Sequence, residues 1–181
     1  MHKKLLAIAA LTGGLALAAP AWADTLDIDL TGWQTAGGWD HALNSDAFVD
    51  IGPGSALTGA EWIDLEINSQ GVSWLSDFII SLNDSAITQW WDSTVSDTDG
   101  GGTYTGSGSF PGPNFDGGPF SVLDDGLVYI QVYESFDDNG EGLDTIVTTG
   151  TLRLHFTPIP EPAALAGLGA AGLLLLRRRS A

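Results

Sequence analysis

Residues 61–67 read EWIDLEI, and this stretch carries the clearest fold signal in the chain. Its apolar residues Ile63, Leu65 and Ile67 occupy every second position. Side chains of a β-strand alternate between its two faces, so the pattern predicts a strand with one buried face. On that register Trp62 shares the outer face with the acidic residues of the stretch.

The same alternation recurs in other short runs, separated by clusters of Gly, Asp, Asn, Ser and Pro. Such runs are typical of half-buried antiparallel strands, and no stretch shows a convincing helical period. The predicted fold is all-β, an antiparallel β-sandwich of jelly-roll-like architecture, with a closed barrel as the alternative. The runs are TLDIDL (25–30), SWLSDFIISL (73–82), LVYIQVYESF (127–136) and TLRLHF (151–156).

Three local features complete this prediction. In residues 73–82 the alternation places Trp74 on the same face as Phe78 and Ile80. Asp125-Gly126 predicts a tight hairpin turn between two strands. Residues 97–118 contain eight glycines and few aliphatic side chains, which predicts a long loop.

The first 23 residues have the three parts of a secretory signal peptide. Lys3 and Lys4 are basic, residues 5–19 are almost wholly apolar, and Ala21-Trp22-Ala23 has the small-x-small form of a cleavage site. We therefore expect signal peptidase to release a mature chain that begins at Asp24.

The last segment, residues 158–181, has a second three-part pattern. Pro160-Glu161-Pro162 precedes an uncharged stretch at residues 163–176, and Arg177, Arg178 and Arg179 follow it. A stable transmembrane helix needs about 20 apolar residues, so this stretch predicts transient insertion into a membrane. An ordinary tail anchor is the alternative.

This tail, paired with a signal peptide, resembles the PEP-CTERM sorting signal of Gram-negative bacteria. The resemblance covers only residues 158–181. It implies processing by an exosortase near Pro160-Glu161-Pro162. It further implies export across the inner membrane to the cell envelope, the outer surface or the extracellular matrix, in association with exopolysaccharide or biofilm.

The segment between these ends, residues 24–157, is long enough for one domain. It contains 22 of the 23 Asp and Glu residues and one basic residue, Arg153, which gives a formal charge of −21. Such a surface repels nucleic acid and anionic lipid. The chain has no cysteine, which excludes thiol catalysis and thiolate metal sites.

Residues 137–144 read DDNGEGLD and form a candidate calcium loop. Carboxylate and amide oxygens are the ligands that calcium prefers, although the spacing departs from an EF-hand and Thr148 stands where a bidentate Glu is expected. Solvated turn residues are the alternative explanation. A weaker second group comprises Asp92, Asp97 and Asp99. The candidate ligands of the first loop are Asp137, Asp138, Asn139, Glu141 and Asp144.

Three tryptophans are candidate glycan contacts: Trp62, Trp90 and Trp91. Exposed rings beside polar groups suit carbohydrate binding, whereas burial in the core is the alternative. Because Trp90 and Trp91 are adjacent, a strand would place them on opposite faces and expose one of them.

No sequence motif supports an enzyme. The chain has no G-x-S-x-G nucleophile elbow, no H-E-x-x-H zinc motif and no phosphate-binding loop. The sequence therefore predicts a non-enzymatic envelope or matrix protein, with calcium as its one possible cofactor. A carbohydrate-binding module is the alternative, and a secreted hydrolase is the next one.

Overall fold

The computed structural model describes residues 24–110, 120–140 and 142–159, and these form two β-sheets. Residues 1–23 and 160–181, which include every residue of the predicted sorting motif, lie outside the described part. None of the helical structure within those described ranges is long and apolar enough to cross a membrane. In chain order the elements are β1 (Asp24–Asp29), β2 (Gln34–Thr35), β3 (Asp46–Asp50), β4 (Ala56–Ser69), a 3₁₀ helix (Leu75–Asp77), β5 (Phe78–Asp84), β6 (Trp90–Thr94), β7 (Thr103–Ser109), β8 (Phe120–Ser121), β9 (Leu127–Glu134) and β10 (Thr145–Thr157).

The two sheets have the strand order of a jelly roll. The six-stranded sheet is ordered β1-β10-β4-β7, with β2 beside β10 and β8 beside β4, and the four-stranded sheet is ordered β3-β9-β5-β6. All these pairs are antiparallel. Without the two-residue strands β2 and β8, successive strands alternate between the sheets except for β5 and β6, which pair within one sheet, as in two interlocked Greek keys. The predicted antiparallel sandwich is confirmed.

The apolar core lies between the two sheets. From the four-stranded sheet, Phe78, Ile80 and Leu82 project inward at every second position of β5, and each is fully buried. From the six-stranded sheet, Leu152 and Leu154 of β10 meet them. Burial of one such side chain contributes about 1.5–3 kcal/mol, so the inward-facing alternation holds the sandwich together.

A β-bulge in β4 corrects the predicted orientation of Trp62. Asp64 has a φ of 48°, and the pairing of β4 with β7 changes register between Trp62 and Leu65. A bulge inserts one residue and thereby reverses the alternation on one side of it. Leu65 and Ile67 face the core as predicted, but Trp62 also faces the core and is only 6% exposed, while Ile63 is half-buried. The prediction of an exposed Trp62 is wrong.

Strand β7 lies where the sequence predicted a loop. It pairs along β4, and the indole of Trp62 lies against Gly108, where an added Cβ would overlap the ring. Gly106 similarly lies under the ring of Tyr104. The apolar surface over the two glycines is supplied by the ring of Trp62 from β4 and by Tyr104 of β7 itself, so the strand has no run of alternating aliphatic residues.

Asp125-Gly126 forms the predicted turn but not the predicted hairpin. Gly126 has a φ of 75°, and its amide donates to the carbonyl of Leu123 at 3.0 Å. The turn leads from β8 in the six-stranded sheet to β9 in the four-stranded sheet. It is therefore a connection between the two layers of the sandwich.

Trp74 is not part of the buried strand face. It precedes the 3₁₀ helix, and β5 begins only at Phe78. Its side chain is 46% exposed. The prediction that Trp74 shares a buried face with Phe78 is wrong, because the 3₁₀ turn interrupts the alternation.

Candidate functional site

The outer face of the four-stranded sheet carries a row of large side chains that crosses all four strands. Phe48 on β3 pairs with Tyr129 on β9, Tyr129 pairs with Asn83 on β5, and Asn83 pairs with Trp90 on β6. The rings of Phe48 and Tyr129 are 4.9 Å apart. We call these four residues the aromatic row. It forms because every second residue of these strands faces away from the core.

A polar row lies directly beside the aromatic row. Asp46, Gln131, Ser81 and Asp92 are paired in register across the same four strands. The two rows are linked, since Gln131 Nε2 donates to the Tyr129 hydroxyl at 3.0 Å and Asn83 Nδ2 donates to Ser81 Oγ at 3.1 Å. The face therefore places hydrogen-bonding groups next to flat apolar rings.

A loop before β3 adds a further ring above this face. The indole of Trp39 stands edge-on to Tyr133, with ring centroids 5.4 Å apart, and edge-on to Tyr129 at 6.0 Å. The next residue, Asp40, donates its backbone N–H to Gln131 Oε1 at 3.0 Å. These contacts hold Trp39 over the edge of the sheet face.

Trp39 and the side of this face formed by β5 and β6 border a groove of about 250 Å³. Trp90 is 59% exposed and Trp39 is 39% exposed, so both indoles remain open to a ligand. Exposed rings with a few polar groups between them are the usual composition of a small-molecule site. The groove is lined by Trp39, Ser81, Asn83, Ile87, Trp90, Asp92 and Tyr133.

The phenol of Tyr133 is a hydrogen-bond donor in this groove. The pKa of Tyr133 is raised to about 12, mainly by burial, and the neighbouring Asp92 carboxylate contributes to this rise by disfavouring a second negative charge. Tyr133 is therefore protonated at neutral pH. Asp92 Oδ1 is buried and has no hydrogen-bond partner among the described residues.

Of the three tryptophans that the sequence selected, one lies in the groove. Trp90 lines it, whereas Trp91 is 6% exposed and packs edge-on against Phe120 in the core. The prediction that one member of this pair is exposed is confirmed, and the prediction of a glycan contact at Trp91 is wrong. Trp62 is excluded from this face because it lies in the core.

Sequence reasoning missed most of the groove. Tyr129, Gln131 and Tyr133 alternate with buried Val and Ile residues in LVYIQVYESF, so an outward row of Tyr, Gln and Tyr was visible in the sequence. Asn83 likewise faces outward on β5, where it alternates with residues that face the core. Trp39 lies in an irregular loop, and no sequence period could have placed it beside Tyr133.

The candidate calcium loop is held by hydrogen bonds of its own. Asp137 Oδ1 accepts from the backbone N–H groups of Asn139 and Gly140 at 3.2 and 2.7 Å. Asn139 Nδ2 donates to the Leu143 carbonyl at 2.7 Å. Asp138 is half-buried, and Glu141 lies outside the described residues. The side chains of Asp137 and Asn139 thus stabilise the conformation of the loop through hydrogen bonds to its backbone.

Asp144, the last residue of that loop, is fully buried beside a second buried carboxylate, Glu134 of β9. Asp144 Oδ1 accepts from Ser73 Oγ at 2.6 Å, and Glu134 Oε1 accepts from Thr35 Oγ1. Thr35 also forms a backbone hydrogen bond to the second carboxylate residue, because its carbonyl accepts from the N–H of Asp144 at 2.9 Å. Glu134 was not among the predicted site residues, although it continues the inward-facing positions of β9.

Burial raises the pKa of both carboxyl groups. The pKa of Glu134 rises to about 7, mainly through burial, with the charge of Asp144 adding to the effect and the hydroxyls of Thr35 and Thr145 opposing it. The pKa of Asp144 is also raised by burial, against the hydrogen bond from Ser73. Both shifts have this direction because removal from water disfavours the charged form of a carboxyl group.

The weaker acidic group from the sequence does not assemble. Asp92 lines the groove on β6, whereas Asp97 and Asp99 are exposed in the segment that follows this strand. Across the described ranges 24–110, 120–140 and 142–159, no three His, Cys, Asp or Glu side chains converge as a metal-binding group.

The chain matches no protein-family model, and no curated protein matches it. The chemistry of the groove and of the buried carboxylates therefore carries the functional argument.

Proposed function

We propose that this protein is an exported, non-enzymatic, glycan-binding component of the cell envelope or extracellular matrix. The observation that carries the proposal is the groove on the four-stranded sheet, where exposed Trp39 and Trp90 flank a polar floor. Its ligand is a polysaccharide of the surrounding matrix.

The groove matches the two-sided chemistry of sugars. A pyranose ring offers an apolar C–H face, which packs on an indole, and hydroxyls around its edge, which need hydrogen-bond partners. Trp90 supplies the flat surface, and Asn83, Asp92 and Tyr133 supply donors and acceptors. Pockets that engulf drug-sized ligands measure about 300–1,000 Å³, so a smaller groove suits a chain that lies across the sheet with a short stretch inserted.

The composition of the groove favours binding over hydrolysis. Glycoside hydrolysis needs a pair of carboxyl groups on either side of the scissile bond. Among the described residues that line the groove, Asp92 is the one carboxylate. The aromatic and amide groups around it hold a sugar but offer no second acid or base.

The sequence patterns at the two ends of the chain support a location in the cell envelope or extracellular matrix. A signal peptide at residues 1–23 and a sorting segment at residues 158–181 route the protein through signal peptidase and an exosortase, with transient membrane insertion of the tail. Both segments lie outside the described residues, and the proposal rests here on the sequence pattern. Exopolysaccharide is found in the envelope and the matrix, so the proposed export route would bring the protein to the ligand that is proposed for the groove.

The test is glycan binding by matched tryptophan variants. The wild-type protein is screened on an array of bacterial polysaccharides, and the best ligand is titrated by calorimetry into Trp90→Ala and Trp74→Ala. Trp74 is exposed but does not line the groove. We expect Trp90→Ala to lose at least about tenfold in affinity, or about 1.4 kcal/mol, and Trp74→Ala to keep it.

Two outcomes would overturn this proposal. One is the absence of binding to any polysaccharide, and the other is an equal loss in both variants, which would place the ligand elsewhere. Release of reducing sugar from the bound polysaccharide would instead identify the hydrolase that the sequence analysis ranked last.

A further inference from the structure

Three buried oxygen atoms at one end of the sandwich have no hydrogen-bond partner among the described residues: Glu134 Oε2, Asp144 Oδ2 and Thr145 Oγ1. All three residues are fully buried. The Thr145 hydroxyl lies near Glu134 but outside hydrogen-bond geometry. Buried polar atoms almost always have partners, so three orphaned oxygens around two carboxylates require an explanation.

Within the described residues, no Lys or Arg lies beside this pair. Arg153 is the single Arg or Lys of residues 24–157. Its guanidinium forms a two-pronged ion pair with Asp27 at 2.7 and 2.8 Å and lies 3.5 Å from Glu61, on the exposed face of the six-stranded sheet. Two buried carboxylates without a counter-charge are costly, because desolvation and mutual repulsion act together.

We propose that Glu134, Asp144 and Thr145 form a cation site that binds calcium. Calcium takes six to eight oxygen ligands, including carboxylates and neutral oxygens, at irregular geometry. The orphaned oxygens supply three of these, and two carboxylates balance the charge of the ion. Zinc prefers histidine and cysteine, and magnesium requires a near-octahedral shell with several waters.

The site joins the two sheets. Glu134 ends β9 of the four-stranded sheet, whereas Asp144 and Thr145 lie where β10 of the six-stranded sheet begins. An ion between them links the layers in a chain that has no cysteine for a disulfide. Of the ligands that the sequence predicted for residues 137–144, this site uses Asp144 alone.

The experiment is a thermal melt of the purified protein after treatment with chelator, with calcium added to about 1 mM, the upper range of Kd for extracellular sites. Melts with magnesium at equal ionic strength control for screening of the acidic surface. The same series is run on Glu134→Gln, Asp144→Asn and Asp138→Asn. Asp138 is the matched control, since it is a neighbouring loop carboxylate outside the proposed site.

At about 1 mM calcium, which is about tenfold above a Kd of about 0.1 mM, we expect a saturable rise in Tm of roughly 5 °C. Glu134→Gln and Asp144→Asn lose this rise, and Asp138→Asn keeps it. Without metal, Glu134→Gln melts no lower than wild type, because it removes a buried charge; this result shows that the variant is folded.

Three results would overturn the proposal. The first is the absence of a calcium-dependent shift, which would leave only buried water or protons at these oxygens. The second is an equal shift with magnesium, which would indicate screening alone. The third is a shift that persists in both Glu134→Gln and Asp144→Asn or disappears in Asp138→Asn, which would place the ion in the exposed loop.

Discussion

The indole of Trp39 meets the phenol ring of Tyr133 edge-on, with centroids 5.4 Å apart and planes at 88°. This contact joins an irregular loop to the outer face of the four-stranded sheet. Edge-to-face aromatic pairs contribute about 0.5–1.5 kcal/mol beyond their buried area. One wall of the groove is therefore already in position before a ligand arrives, which reduces the entropic cost of binding.

Asn44 anchors the loop that carries Trp39. Its Oδ1 accepts from the Ala36 N–H at 2.8 Å, and its Nδ2 donates to the Gly38 carbonyl at 2.8 Å, in a buried position. We expect Asn44→Ala to lower the free energy of unfolding by about 2–3 kcal/mol, because buried backbone groups lose their partners. Urea denaturation measures this change.

The same variant should also weaken glycan binding, because Trp39 loses its support. Asn68→Ala is the control: its amide makes an exposed hydrogen bond to Thr103, and we expect a change within about 0.5 kcal/mol. Full glycan affinity in Asn44→Ala would mean that the loop position does not depend on this side chain.

The hydroxyl of Tyr133 should contribute to affinity as a donor. Tyr133→Phe keeps the ring that packs against Trp39 but removes the hydroxyl. We expect a loss of about 0.5–1.5 kcal/mol in binding free energy, or roughly twofold to thirteenfold in affinity, with little change in Tm. Calorimetry with the best ligand measures it, and unchanged affinity would mean that the phenol does not contact the sugar.

Gly108 is required beneath Trp62. A Cβ at this position would overlap the indole in the core, which has no room to move. We expect Gly108→Ala to cost about 1–3 kcal/mol of stability in urea denaturation. Gly38 has nothing within 4 Å of an added Cβ, so Gly38→Ala is the control and should be close to neutral. Equal effects in both variants would contradict the close packing.

Glu134 predicts a pH dependence in metal-free buffer. Its folded pKa of about 7 lies above the ordinary value of 4.5, so the folded state holds its proton more tightly than the unfolded state. This contribution to stability is complete below pH 4.5 and is lost as the pH rises through 7. The free energy of unfolding should fall by about 3 kcal/mol over that range, at about 1.4 kcal/mol per pKa unit.

Glu134→Gln should flatten this slope, because glutamine does not titrate. Urea denaturation in chelator at a series of pH values compares the two proteins. Parallel slopes would show that another group controls the pH dependence.

Export should leave a chain trimmed at both ends. We expect mass spectrometry of the native protein to find an N-terminus at Asp24 and a C-terminus near Pro160-Glu161-Pro162. Replacement of Arg177, Arg178 and Arg179 by Ala should leave the tail attached, because the sorting signal loses its basic end. An intact, membrane-bound tail on the wild-type protein would contradict the exosortase route.

The sequence alone determined which residues of several strands face the core. Period-2 alternation identified the faces of β1, β9 and the second half of β10, and the adjacency of Trp90 and Trp91 required one exposed ring. These predictions are local: a strand must turn successive side chains to opposite faces, whatever its partners are. The same alternation in β9 also indicates that Tyr129 and Tyr133 face outward, so these two residues could have been predicted from the sequence.

Tertiary structure decided what those faces meet. The bulge at Asp64 moved Trp62 into the core, since one inserted residue reverses the alternation. Gly108 lies in β7 although it has no side chain, because the indole of Trp62 from β4 covers the position that a side chain would occupy.

The groove and the buried carboxylates were likewise decided by the fold. Trp39 meets Tyr133, and Glu134 meets Asp144, only through the jelly-roll order of the strands. A local pattern reports which way a side chain points but carries no information on which distant strand lies beside it.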